Sequence, residues 1–230
     1  MADTGKRAVV LWTGGKDCNL ALHEAKIAGY DIVGLVTFMM GDGKFKAHPI
    51  DVMKLQAKAL GIQHISVSVA EPYTESYEEA IRKLKEEQGI ATLVTGDIAE
   101  IHGDFNWITE RSKPSGVKVY LPLWHLDRGQ VLQRILSSGF KVIFSCVKEP
   151  WFSAEWLCKE LNEKTAVALR TIPNLDLCGE QGEYHTLVLD GPGYKAEIKI
   201  DSFTTCKENE IFYMGVPKFL LKEKYTHAIL

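Results

Sequence analysis

The sequence predicts an α/β protein built on a doubly wound, mainly parallel sheet, followed by a smaller C-terminal α+β domain. Three observations carry that prediction. The apolar run Ala8–Trp12 reads as a strand buried on both faces, and Asp31–Met40 and Ala91–Val94 read as further strands. Stretches of helical period separate them, and strands alternating with helices at this spacing imply parallel pairing through crossovers. From Leu123 the pattern changes, which sets an expected boundary near residue 125 and two domains, 1–125 and 126–230.

Taken in order, Ala8–Trp12 leads through the polar turn Thr13–Lys16 into a helix from Asp17, with Cys18, Ala21 or Leu22, Ala25 and Ala28 on one face. Asp31–Met40 is the second strand. In Ile50–Leu60, Ile50, Met53, Ala57 and Leu60 share a helical face, and Gly61 stops the helix. Ile65–Val69 alternates as a strand, and Tyr77, Ala80, Ile81 and Leu84 mark an amphipathic helix with solvated charge on its outer face. Ala91–Val94 ends in Thr95-Gly96-Asp97, and Val117–Leu121 follows the turn Pro114-Ser115-Gly116. Further on come a helix over Asp127–Ser138, a strand at Lys141–Cys146, a longer helix over Ser153–Arg170, and strands at Tyr184–Leu189 and Tyr194–Ile200. The tail after Cys206 is strand-like only in places.

Composition narrows the class. The 230 residues carry 27 Lys and Arg against 30 Asp and Glu, a net charge of −3, with no basic run, which weighs against nucleic acid as a partner. No apolar stretch reaches the ~18 residues of a membrane span, and Met1–Arg7 lacks the apolar segment of a signal peptide. The five cysteines form no C-x-x-C pair; reduced thiols in a cytoplasmic protein are expected, and zinc or iron–sulfur sites are not.

Two polar clusters stand out. The first is TGGKDC, Thr13–Cys18, between a buried strand and a helix start. This geometry presents N–H groups and the positive end of a helix dipole to an anion. Gly14 and Gly15 leave room for a phosphate and permit positive φ, Thr13 adds a hydroxyl, and Lys16 a flexible cation. Asp17 caps the helix or stands behind a metal ion. Neither GxxxxGK[ST] nor GxGxxG is present. Ligands of doubly wound sheets bind beyond the carboxyl ends of the strands, so Thr13–Lys16, Thr37 onward and Gly96–Asp97 are expected to converge. The second cluster is DLCGEQGEYHT, Asp176–Thr186. Strand alternation would put Glu183 and His185 on one face and Tyr184 on the other. Carboxylates and an imidazole there can bind an amine, hold Mg²⁺ or move protons. The plain alternatives are a glycine-bearing turn in the first case and solvated acids in the second.

The TGGKDC loop resembles the SGGKDS loop of the ATP pyrophosphatases. With HPIDVMKLQAKALGI, TGDI at 95–98, LPLW at 121–124, GEQGEYHT and LVLDGP, the chain from about Ala8 to Asp190 resembles the diphthine–ammonia ligase family of PP-loop enzymes, with their adenine-nucleotide-hydrolase-like, Rossmann-like core. The resemblance implies an enzyme that adenylates a carboxylate with ATP and Mg²⁺, releasing pyrophosphate, and lets ammonia displace AMP. It implies a nucleotide site of Thr13, Gly14, Gly15, Lys16, Asp17, Cys18, Thr37, Phe38, Gly96 and Asp97. Glu180, Gly182, Glu183, Tyr184 and His185 would bind the acceptor, and Lys16, Asp17 and Glu183 would serve catalysis. The carboxylate would be the diphthine of elongation factor 2 or a small molecule, and a homodimer is allowed.

There are departures from the family pattern. Gln181 and His185 stand where the family has glycine and glutamate, and a histidine removes the attraction for a trimethylammonium acceptor. Glu100–Ser115 also matches poorly. The alternatives are amidation of another carboxylate, RNA thiolation on the same core, and a nucleotide sensor without chemistry. Cys18 reads as packing rather than nucleophile, and Cys178 lacks a partner cysteine. His48 either touches a ligand or enters the helix, His102 and Asp104 read as loop polarity, and Trp107, Trp124, Trp151 and Trp156 as core or interface residues.

Overall fold

A computed structural model describes residues 6–41, 45–100 and 106–224. The chain divides into two compact units, Met1–Lys44 with Ile62–Val131, and Phe45–Gly61 with Leu132–Leu230.

The first unit holds β1 (Arg7–Leu11), α1 (Lys16–Ile27) and β2 (Asp31–Met40). The chain re-enters it at β3 (His64–Val69), then α3 (Tyr73–Gln88), β4 (Thr92–Val94), α4 (Trp107–Ser112) and β5 (Lys118–Tyr120). The five strands form one sheet in the order β3-β2-β1-β4-β5, and every pair is parallel. The doubly wound expectation holds. Val9, Val36 and Leu93 on one face pack with Ile81 and Leu84 of α3 and Ile108 of α4, with Phe38 and Tyr77 at the edge of that cluster. The chain progresses from β1 outward to β3 and then back past β1 to β4, so the turn after β1 sits where the winding reverses.

The second unit contains α2 (Ile50–Leu60), β6 (Lys141–Lys148), α6 (Glu163–Arg170), β7 (Tyr184–Asp190), β8 (Ala196–Glu208) and β9 (Ile211–Glu223); α5 (Arg128–Ser137) straddles the division. The strands make an antiparallel sheet in the order β7-β6-β9-β8. The expected α+β character holds, with two corrections. The tail after Cys206 is not strand-like in places only: it completes a hairpin of two 13-residue strands. The helix expected over Ser153–Arg170 is broken into a short 3₁₀ turn at Ala154–Trp156 and α6. Between them Cys158 takes φ of 64° and Glu160 bridges to Ile143, while Asn162 starts α6 afresh with a capping box. Among the described residues, no helix is long and apolar enough to cross a membrane.

Candidate functional site

The turn after β1 is built as the sequence suggests, with different work for its parts. Gly14 takes φ of 79°, a conformation that glycine adopts without strain. Gly15 is the N-cap of α1 with extended backbone, so of the two glycines only Gly14 uses the positive φ that both permit. The Gly15 carbonyl accepts the Asn19 amide N–H (3.3 Å), the Asn19 Nδ2 (2.8 Å) and the Cys18 thiol (3.2 Å). Asn19 was not singled out from the sequence; a polar residue one turn inside a helix, on its buried side, is the signal that marks it.

Two expectations about the charged pair change. Asp17 does not cap α1: it lies in the first turn and accepts from Lys16 Nζ at 2.7 Å. Lys16 is not a loose cation, because only 3% of it is exposed. Burial pushes the Asp17 carboxyl above the usual range, against the pull of Lys16. Its Oδ1 is buried with no hydrogen-bond partner among the described residues. Burial also pushes the Cys18 thiol up, which fits packing and not nucleophilic attack.

β4 brings Gly96 against this turn. A Cβ at Gly96 would lie 2.6 Å from the Asp17 carbonyl carbon and 2.7 Å from the Cys18 nitrogen, so only glycine fits between β4 and the start of α1. Asp97, next in sequence, accepts from the Asn106 amide, and Asn106 Oδ1 in turn accepts from the Thr109 N–H (3.0 Å) to cap α4. Thr37 on β2 is buried; its hydroxyl donates to the Trp12 carbonyl (2.7 Å) and meets His64 Nε2 at 2.9 Å. Phe38 lies against Tyr77, 4.7 Å between centroids. Thr13 is exposed, with its hydroxyl 3.7 Å from the Cys18 sulfur. The first unit therefore joins Thr13–Cys18 to Gly96 and Asp97, and fixes Thr37 and Phe38 on the neighbouring strand.

The second cluster lies wholly in the second unit. β7 begins at Tyr184, so Glu183 precedes the strand and the alternation expected to pair it with His185 starts only after it. Its carboxylate turns back instead: Oε1 accepts the Asp176 N–H and Oε2 the Gln181 N–H, each at 3.0 Å, with 1% of the residue exposed. Tyr184 is as deeply buried; its hydroxyl donates to the Leu177 carbonyl (2.6 Å) and its ring packs on Phe144 and Phe152. Both residues hold the loop from within. Glu180, Gly182 and His185 are partly exposed and Gln181 is exposed. The His185 ring meets His48 edge-on at 5.3 Å, which brings the loop before α2 into the cluster. Gln56 of α2 donates to the Val188 carbonyl (2.8 Å). Cys178 is buried. His102 and Asp104 lie outside the described residues. Among the described residues, no group of three or more His, Cys, Asp or Glu is placed to hold a metal ion.

A parallel sheet with a glycine turn and a helix start at its reversal point defines a phosphate-loop α/β protein. The diphthamide synthase N-terminal domain family matches residues 6–119, and the diphthamide synthase C-terminal domain family residues 127–227. The chain belongs to the diphthamide synthase family, PP-loop ATP pyrophosphatases of the ligase type. It is 27% identical over 240 residues to diphthine–ammonia ligase of Schizosaccharomyces pombe, covering 93% of this chain and 39% of that protein. It is 24% identical to the enzyme of that name from Bos taurus, over 85% of this chain and 83% of the other, and 25% identical to that of Danio rerio. This chain therefore spans well under half of the fission yeast relative. A solved structure described as a predicted subunit of tRNA methyltransferase from Methanocaldococcus jannaschii aligns over 59% of the chain and 76% of its own, with 18% identity and a TM-score of 0.41.

Proposed function

We propose that the protein is an AMP-forming carboxylate–ammonia ligase. A substrate carboxylate oxygen attacks the α-phosphorus of ATP, pyrophosphate leaves, and ammonia then attacks the acyl carbon, expels AMP and loses a proton to give the amide. The observation that carries this reading is the Thr13–Cys18 turn, set at the reversal point of the sheet with Gly96 seated against it. A helix start offers first-turn N–H donors and a positive dipole end, and the buried Lys16 adds a fixed positive charge, all suited to charge building on departing pyrophosphate. The buried Asp17 Oδ1 within that turn, which has no hydrogen-bond partner among the described residues, fits a Mg²⁺ ion carried by the nucleotide. Such an ion would neutralise phosphate charge as the α–β bond breaks. Thr37, Phe38 and Asp97 belong to the nucleotide site in this reading. Residues 126–230 recognise the acceptor, and the loop held by Glu183 and Tyr184 presents Glu180, Gly182 and His185 to it. The acceptor is the diphthine of elongation factor 2 or another carboxylate.

The test is pyrophosphate release from ATP, Mg²⁺ and ammonium, with and without diphthine-bearing elongation factor 2. Release that depends on the factor supports the diphthine reaction. ATP binding without release points to another carboxylate. In an active assay Lys16→Ala should lower turnover about 10²-fold or more, the scale of losing one preorganised charge stabiliser. No ATP binding by the wild-type protein overturns the reading.

A further inference from the structure

We propose that α4 carries the base-binding part of the nucleotide site, with the Trp107 indole as the surface on which a purine ring stacks. This rests on the nucleotide reading of the Thr13–Cys18 turn and adds to it a residue that the sequence did not assign to the nucleotide. Trp107, expected from the sequence to be core or interface, is 48% exposed, whereas Trp12 of the same unit is 1% exposed. Tryptophan is highly buried on average, so a half-exposed indole close to the elements that carry the glycine turn is a candidate contact surface.

The indole is mounted firmly. The Arg111 guanidinium, one helical turn on, lies 4.8 Å from the ring centroid and pairs with Glu78 at 2.8 Å. The Tyr77 ring meets Trp107 edge-on at 6.2 Å and leans on Phe38, which stands near the C-terminal end of β2 beside the strand that feeds the glycine turn.

A second run of contacts leads to the same ring from the turn itself. Gly96 seats against Asp17 and Cys18, Asp97 follows it, Asn106 donates to Asp97, and Asn106 caps the helix that Trp107 opens. The indole is thus tied to the turn through β2 on one side and through β4 on the other. Because Glu78 neutralises Arg111, the mount offers an aromatic face more than a net positive charge, which suits a nucleobase and not a further phosphate. Stacking of bases on aromatic side chains needs no particular hydrogen-bond pattern.

The experiment compares ATP with inorganic tripolyphosphate, each with Mg²⁺, by calorimetry on the wild-type chain, Trp107→Leu and Trp107→Phe. Loss of an aromatic stack is expected to weaken ATP binding by Trp107→Leu on the order of tenfold, with Trp107→Phe much nearer wild type. Tripolyphosphate, which has no base, should bind all three alike. Tryptophan emission provides a check that does not depend on the leucine variant folding: ATP should quench a component in the wild type that is missing from Trp107→Phe, and tripolyphosphate should not. Trp107→Leu binding ATP as tightly as wild type overturns the proposal and leaves the turn's role standing. So does equal loss of ATP and tripolyphosphate, or emission that ATP does not change. A wild-type chain that binds neither compound overturns the nucleotide reading and this proposal together.

Discussion

A methyl group added at Gly96 would meet backbone, not a side chain that could swing away. The nearest atoms are the Asp17 carbonyl carbon at 2.6 Å, the Cys18 nitrogen at 2.7 Å and the Asp17 oxygen at 2.8 Å. Relief requires β4 and the first turn of α1 to part, and overpacking of this kind costs typically about 1–3 kcal/mol. Gly96→Ala should therefore lower the urea midpoint by a corresponding amount and weaken ATP binding, because it moves the first turn of α1. A variant with unchanged stability and binding would show that the turn tolerates the shift. The sequence marked Gly96 as a lining residue of a nucleotide pocket; its close approach to α1, at Asp17 and Cys18, is a contact between residues far apart in the chain that periodicity cannot reveal. Glu183 is the parallel case. Its residue type and motif were legible, but the inward turn of its carboxylate to the Asp176 and Gln181 amides depends on the fold of the whole loop.

At the scale of elements, buried strands and capped helices were the readable part. Asp31–Met40 and Ile50–Leu60 have the bounds that the apolar run, the helical period and Gly61 imply. The stretch Ser153–Arg170 misled because Leu157, Leu161, Thr165 and Ala168 fall at helical spacing although the chain between Leu157 and Glu160 is not helical. Leu157 and Leu161 are buried all the same, so burial there comes from tertiary packing of a broken segment and not from one helix face. The start of α6 is local chemistry: Asn162 Oδ1 accepts the Thr165 N–H at 3.1 Å, and Thr165 Oγ1 accepts the Asn162 N–H at 2.8 Å. With both halves of a capping box in place, Asn162→Ala should cost about 1 kcal/mol, read as a lower denaturation midpoint, while Asn162→Asp, which keeps an acceptor oxygen, should cost less. Equal losses in the two variants would mean that the cap is not what the helix start depends on.

Over the whole molecule the sequence groups residues 1–125 apart from 126–230, whereas the structure places 45–61 with 132–230. That α2 joins the second unit turns on contacts such as Gln56 Nε2 to the Val188 carbonyl, 132 residues apart, and on no feature of the helix itself. The same remoteness governs how stability responds to acid. Net charge is only −3, so general repulsion is slight near neutrality, and specific pairs carry the pH dependence. Glu197 of β8 accepts from Lys141 of β6 at 2.8 Å and from Lys199 at 2.6 Å, which lowers its carboxyl from 4.5 to about 2. Since the folded value lies below the unfolded one, the stabilisation is fully present above the ordinary carboxylate range. It is lost as pH falls from about 5 toward 2. Lys141 and Lys199 are 38% and 42% exposed, so solvent screening reduces the contribution to about 1 kcal/mol. Glu197→Gln should accordingly be less stable than wild type by about that amount at pH 7, with the gap closing on acidification. Urea midpoints of the two proteins across this range are the measurement; a gap that stays constant with pH would mean that the loss comes from packing of the side chain and not from its charge.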